Sequence, residues 1–158
     1  MFSIRSFACT GLLTAGLTLS MFGHADEGRA VHSPLLPKYQ QECAACHVAY
    51  APGLLPAESW QRLMRGLPNH FGTDASLDAA SVKQLSMWLA QHAATGKKEQ
   101  IAPPEDRITR SAWFQREHHE ISPRTWQLPR VKSASNCLAC HVRANQGVFD
   151  EHEIRIPN

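Results

Sequence analysis

The stretches Cys43-Ala44-Ala45-Cys46-His47 and Cys137-Leu138-Ala139-Cys140-His141 decide how this chain is built. Each is a Cys-x-x-Cys-His motif. Its two thiols are spaced to form thioethers with the vinyl groups of a haem, and its histidine is placed to bind the iron from one side. A four-cysteine zinc site could use the same pairs but gives no reason for a histidine after both of them. A thioredoxin-like redox pair needs only one motif in a strand-helix setting, and structural disulfides rarely close a two-residue gap. The two copies therefore predict two covalently bound haem c groups. Cys43, Cys46, Cys137 and Cys140 would be the attachment thiols, and His47 and His141 the first axial ligands.

Upstream of the first motif, the fifth cysteine, Cys9, falls in a segment of a different kind. Arg5 supplies a positive charge, Ala8 to Phe22 is apolar or small apart from a few hydroxyls, and Gly23-His24-Ala25 ends it with small residues at the outer positions. This reads as a secretory signal peptide over residues 1–25, cut after Ala25, and implies a periplasmic protein. An uncleaved anchor is the alternative, but the apolar stretch is short for a membrane span and Cys9 comes too early for a lipoprotein cysteine. Every cysteine left after cleavage belongs to one of the two motifs. Fifteen basic residues then face fourteen acidic ones, a formal +1 that gives no reason to expect nucleic acid as a partner.

Between and around the motifs the pattern is mainly α, with haem sites in sequence rather than in a tight array, because Cys43 and Cys137 are 94 residues apart. A helix is expected from Tyr39 through His47, then a turn with Pro52 and Gly53, and Pro56 in the first turn of a second helix. That helix has an apolar face of Trp60, Leu63 and Met64 and ends at Gly66. After the loop Asn69-His70-Phe71-Gly72, Asp74 or Ser76 is expected to cap a third helix, in which Leu77, Val82, Leu85 and Leu89 recur at helical spacing up to about Gly96. The first haem unit thus covers about residues 31–96. Pro103 and Pro104 mark the linker. Ser111 is expected to cap a short helix through Trp113, Phe114, His118 and His119, stopped by Pro123. The 17 residues beyond the second motif are too few for a complete small haem domain, so irregular chain must pack the second haem.

The second axial ligand of each iron comes from a short field. For the first haem it contains His70, Met64, Met87, His92 and His32. Met64 and Met87 fall within apolar helical stretches, where methionine usually fills a core. His70 lies in a loop that can reach the open haem face, and is the expected ligand. For the second haem, His118 and His119 point about 100° apart on a helix, so only one can face a given iron. His118 shares a face with Phe114 and is expected to bind; His119 lines up with Gln115 and Arg116, and His152 in the acidic tail is expected to face water. Two histidines per iron leave no free coordination position and tend to give a lower potential than histidine with methionine.

These residues carry a family resemblance. The chain resembles the DHC-type dihaem cytochromes c of bacterial exported proteins in Glu42 to His47 with Ala49-Tyr50, Leu54-Leu55-Pro56, Ser59-Trp60 and His70-Phe71-Gly72. The likeness continues through Trp113-Phe114 with Arg116-Glu117-His118, Asn136 to His141, and Gly147 to Glu151. It implies a small cytochrome c-like helical domain at residues 26–96, a linker at 97–110, and an irregular, haem-packed C-terminal region at 111–158. It further implies that His47 with His70 holds one iron and His141 with His118 the other. The doubled His118-His119 is where the register could slip. The implied role is electron transfer, between a membrane b-type cytochrome and a small soluble haem protein. The alternatives are a dihaem peroxidase or small-molecule reductase in which one distal histidine dissociates, and a haem-based sensor. The only acid-base cluster available to an enzyme, Arg116, Glu117 and His119, reads as a solvated helix face.

Overall fold

The computed structural model describes residues 35–97 and 100–158; the expected signal peptide, residues 1–25 with Cys9, and the candidate ligand His32 lie outside the described residues. Among the described residues the regular structure is helical, with short 3-10 turns between α-helices and two isolated bridges in place of any sheet.

Helix α1 (Pro37–Cys43) starts with proline in its first turn, where the fixed φ suits the helix and the missing N–H costs nothing. It stops at Cys43 rather than running through His47 as expected. The last helical bond, His47 N–H to the Cys43 carbonyl, has stretched to 3.5 Å. Ala49 is drawn into the core, and the buried Tyr39 hydroxyl donates to the Tyr50 carbonyl at 2.8 Å. These tertiary contacts take the chain out of the helix.

Helix α2 (Ala57–Arg65) has Pro56 as its N-cap residue, one place before the expected position inside the helix. Glu58 near its start and Arg62 and Arg65 near its end complement the helix dipole, and Gly66 closes it. Trp60 and Met64 are buried on its inner face, where the Trp60 indole donates to the Pro52 carbonyl at 2.7 Å. Helix α3 (Ala79–His92) packs against α2. Its cap is Asp78, which accepts from the Ser81 N–H at 3.0 Å; Asp74 instead accepts from the Ser76 N–H and holds the preceding turn. Leu77 and Val82, just before the cap and in the first turn after it, both pack on the core in the positions of a hydrophobic staple. The helix ends at His92, short of Gly96, because Ala93 is extended and the Ala94 N–H donates to the Leu55 carbonyl at 2.9 Å. Leu85 and Leu89 are fully buried. Met87, expected in the core, is 53 % exposed: two residues past Leu85 is about 200° around the helix, on the far side.

The expected linker is not a free tether. Arg62 of α2 grips Asp106 with two hydrogen bonds, Nη2 at 2.7 Å and Nε at 2.9 Å, in the two-pronged arrangement that makes such pairs strong. Ile108 packs on the same core as Trp60 and Leu85. Beyond it, Ser111 caps α4 (Ala112–Glu117) by accepting from the Phe114 N–H at 3.0 Å, as expected. The helix ends at Glu117, so His118 and His119 follow it rather than lie in it. Pro123 does not stop this helix; it opens a further one, α5 (Pro123–Trp126), capped by Ser122. The remainder is turns and 3-10 pieces, and the tail folds back so that the Arg155 N–H donates to the Cys140 carbonyl at 2.9 Å.

Candidate metal centres

The first centre begins at the end of α1, where Cys43, Cys46 and His47 follow one another through a turn. All four described cysteines are free thiols, and burial pushes the Cys43 thiol up to about 11. The His47 Nδ1 lies 2.7 Å from the Val48 carbonyl, an acceptor that fixes the proton on Nδ1 and leaves Nε2 free for a metal. Facing it is His70, at the base of a two-residue turn closed by reciprocal backbone bonds with Thr73, at 2.7 and 3.1 Å. Phe71 and Gly72 at the tip both have positive φ, 51° and 94°, the pattern of a type I′ turn. Glycine takes that conformation freely and phenylalanine does not. The Phe71 ring is covered by the Arg107 guanidinium at 4.2 Å, a cation–π contact that helps hold it there. Burial, with His47 and Arg107 close by, lowers the His70 pKa and favours the neutral ring that binds metals.

The second centre, like the first, brings together histidines 23 residues apart in sequence. His141 follows its thiols through a turn whose N–H donates to the Cys137 carbonyl at 2.8 Å. His118, just past α4, has its Nδ1 2.9 Å from the Phe114 carbonyl and its ring stacked on Phe114 at 4.0 Å and 15°. The shared face with Phe114 therefore holds even though the helix has ended. His119 is turned outward, 70 % exposed, with its Nδ1 against the Arg116 carbonyl, and His152 is exposed as expected. His92 sits on Trp88 away from both centres. Burial, then His118, lowers the His141 pKa.

Both pairs of rings fit an iron. His47 and His70 have ring centroids 6.2 Å apart, and His118 and His141 6.0 Å. Two metal–imidazole bonds of about 2 Å each, in line through one ion, call for centroids roughly 6 Å apart. The His141 Nδ1 is buried without a hydrogen-bond partner, an orphan in a site otherwise lined by apolar rings. A cavity of 280 Å³ opens beside His118, lined by Thr109, Phe114, Gln115, His118, Trp126 and Ala134. With free thiols at each centre, the donor set is that of a covalently held haem rather than of a bare metal ion.

Several contributors had no role assigned from sequence, although Tyr50 and Phe149 stand in stretches that carry the family resemblance. Trp126 lies 5.9 Å from His118 and Phe149 5.3 Å from His141, walls for the second centre that no periodicity marks. Tyr50, whose ring stacks on His47 at 4.9 Å, is signalled by its place three residues after the motif and by the Ala49-Tyr50 pair of the resemblance. Burial pushes its phenol up to about 12, so the hydroxyl remains a donor at neutral pH.

Two facing imidazole pairs, each with its own pair of thiols, on a helical scaffold define the class: a c-type cytochrome with two haems. The sequence model of the dihaem cytochrome c family, DHC, matches residues 39–149. A diheme cytochrome c from Shewanella baltica is 39% identical, with a TM-score of 0.70 over 80% of this chain and 96% of that one. DHC from Rhodobacter sphaeroides is 44% identical, with a TM-score of 0.65 over 75% of this chain and all of the other. Curated proteins contain no significant match. The chain belongs to the dihaem cytochrome c family and carries two covalently bound c-type haems.

Proposed function

We propose that this protein is an exported, periplasmic electron relay in which Cys43 and Cys46 hold one haem and Cys137 and Cys140 the other. His47 and His70 ligate the first iron, and His141 and His118 the second. The observation that carries this reading is the pair of imidazole separations, 6.2 and 6.0 Å, each matched to one six-coordinate iron. When bound, each haem iron takes up and gives back a single electron between its ferric and ferrous states. The polypeptide's part is to keep both axial positions filled. The I′ turn beneath His70 and the Phe114 stack beneath His118 hold the rings so that neither iron opens to a small molecule, which favours a carrier over an enzyme. Two imidazoles also place both potentials below those of a histidine-methionine site. The donor and acceptor we assign are a membrane b-type cytochrome and a small soluble haem protein. Among the described residues no helix is long and apolar enough to cross a membrane.

The test is spectroscopy of the holoprotein with carbon monoxide added to the reduced form. Wild type and His119→Ala are expected to show two low-spin haems and no carbon monoxide shift. His118→Ala is expected to turn one of the two haems high-spin and carbon monoxide-binding. Rapid carbon monoxide binding by the wild type would overturn the closed-carrier reading in favour of an enzyme or sensor. An effect in His119→Ala with none in His118→Ala would move the second ligand by one residue.

A further inference from the structure

We infer that Tyr50 is the bridge between the two haem centres, a positioning residue that sets their separation and lies on the route by which an electron crosses from one to the other. The inference rests on the two-haem carrier reading above. One side of the residue belongs to the first centre: its ring stacks on His47, the ligand on the attachment side of the first iron, at 4.9 Å and 22°. The other end belongs to the second centre. Its hydroxyl donates to the Ser135 carbonyl at 2.7 Å, across 85 residues of sequence, and the same carbonyl lies 3.7 Å from the Cys137 sulfur. Cys137 is an attachment point of the second haem. Among the described residues, this is the only hydrogen bond joining residues 35–97 to residues 111–158.

The bridge is anchored at its base. The Tyr50 carbonyl accepts from the Tyr39 hydroxyl at 2.8 Å, Tyr39 is 2 % exposed and packs on Trp88 of α3, and the flanking Ala49 and Ala51 are buried. The path from the first iron's ligand to the second haem's attachment sulfur therefore has one ring contact, one hydrogen bond and one 3.7 Å step from the Ser135 carbonyl to the Cys137 sulfur. The transfer it serves moves one electron: a ferrous iron becomes ferric as the other becomes ferrous. No proton moves, and the phenol is neither oxidised nor deprotonated.

Tyr50→Phe keeps the ring on His47 and removes the hydroxyl; Tyr50→Leu removes both. In the holoprotein, the one-electron exchange between haems after rapid partial reduction should fall several-fold in Tyr50→Phe. The first haem's EPR signal and potential should stay at wild-type values. Tyr50→Leu should lose exchange as well and shift the first haem's potential. Wild-type exchange in Tyr50→Phe overturns the bridge while leaving the carrier reading standing. A first-haem shift in Tyr50→Phe also overturns it, since the residue would then act through the fold of the first unit. Absence of any exchange between the haems in the wild type would instead remove the relay on which the inference rests.

Discussion

At the scale of single residues, the two centres share a ligand type but not an arrangement. The His47 and His70 rings lie 23° from parallel, whereas His118 and His141 are turned 75° to one another. When both rings contain the bond axis through a common iron, that angle is the twist between the ligand planes. Nearly parallel planes split the iron d orbitals that bond sideways to the rings; nearly perpendicular planes leave them close in energy. The oxidised protein should therefore give two distinct low-spin EPR signals of equal weight, one ordinary and rhombic, the other strongly anisotropic with a large maximum g. His70→Ala should abolish the rhombic signal and leave the other. Two superimposable signals would show that the rings do not keep these angles around iron. Sequence singled out the four histidines that face one another in pairs, because motif spacing, the loop position of His70 and the face His118 shares with Phe114 are local properties. It carried no information on ring twist, which depends on what packs behind each ring.

At the scale of elements, boundaries moved wherever a tertiary bond outcompeted local preference. Helix α3 ends at His92 because Ala94 pairs with Leu55, and α1 ends at Cys43 because Ala49 and Tyr50 are drawn into the core. Caps were legible when one candidate stood alone, as at Ser111. At α3 the expected caps, Asp74 and Ser76, gave way to Asp78 a turn later. Met87 was recoverable in principle, since counting the helical period from Leu85 puts it outside. The linker is the element whose packing composition left unread: its prolines marked a connection, and only the fold shows Asp106 meeting Arg62. The hydrogen bonds from Arg62, ahead of burial, hold the Asp106 carboxyl below its usual range. A carboxyl with a depressed folded-state pKa contributes stability that is complete above the ordinary carboxylate range and is lost as pH falls through its own lower value. Asp106→Asn should thus lower stability at neutral pH by up to about 1 kcal/mol, since Arg62 is partly exposed and solvent screens the pair. Urea midpoints compared with wild type should differ at pH 7 and converge in strong acid. A difference that persists in acid would mean that the carboxylate is not what is lost.

For the whole molecule, the two haem regions are supported unequally. Residues 35–97 bury Tyr39, Leu55, Trp60, Met64, Leu85 and Leu89 together, a polypeptide core in its own right. Residues 111–158 bury only Phe114, Val131 and Ala144 among their apolar side chains, too little to order nearly fifty residues against their chain entropy. Haem must supply the missing surface there. Replacing both Cys137 and Cys140 by alanine, so that the second haem is not attached, should leave residues 35–97 protected in hydrogen exchange and deprotect most of 111–158. Protection throughout would mean that the C-terminal region has a fold of its own.

What the amino-acid order determined by itself is the class of chemistry: two c-type haems, announced by two Cys-x-x-Cys-His motifs, and a helical character read from the spacing of Val82, Leu85 and Leu89. Those are properties of neighbours within a few residues, and local spacing encodes them. Tertiary structure alone decided where the helices stop, that the linker is docked, and that Tyr50 spans 85 residues to reach Ser135. A hydrogen bond between such distant residues leaves no periodic trace in the chain, because it forms only once the packing of both regions has brought donor and acceptor within reach.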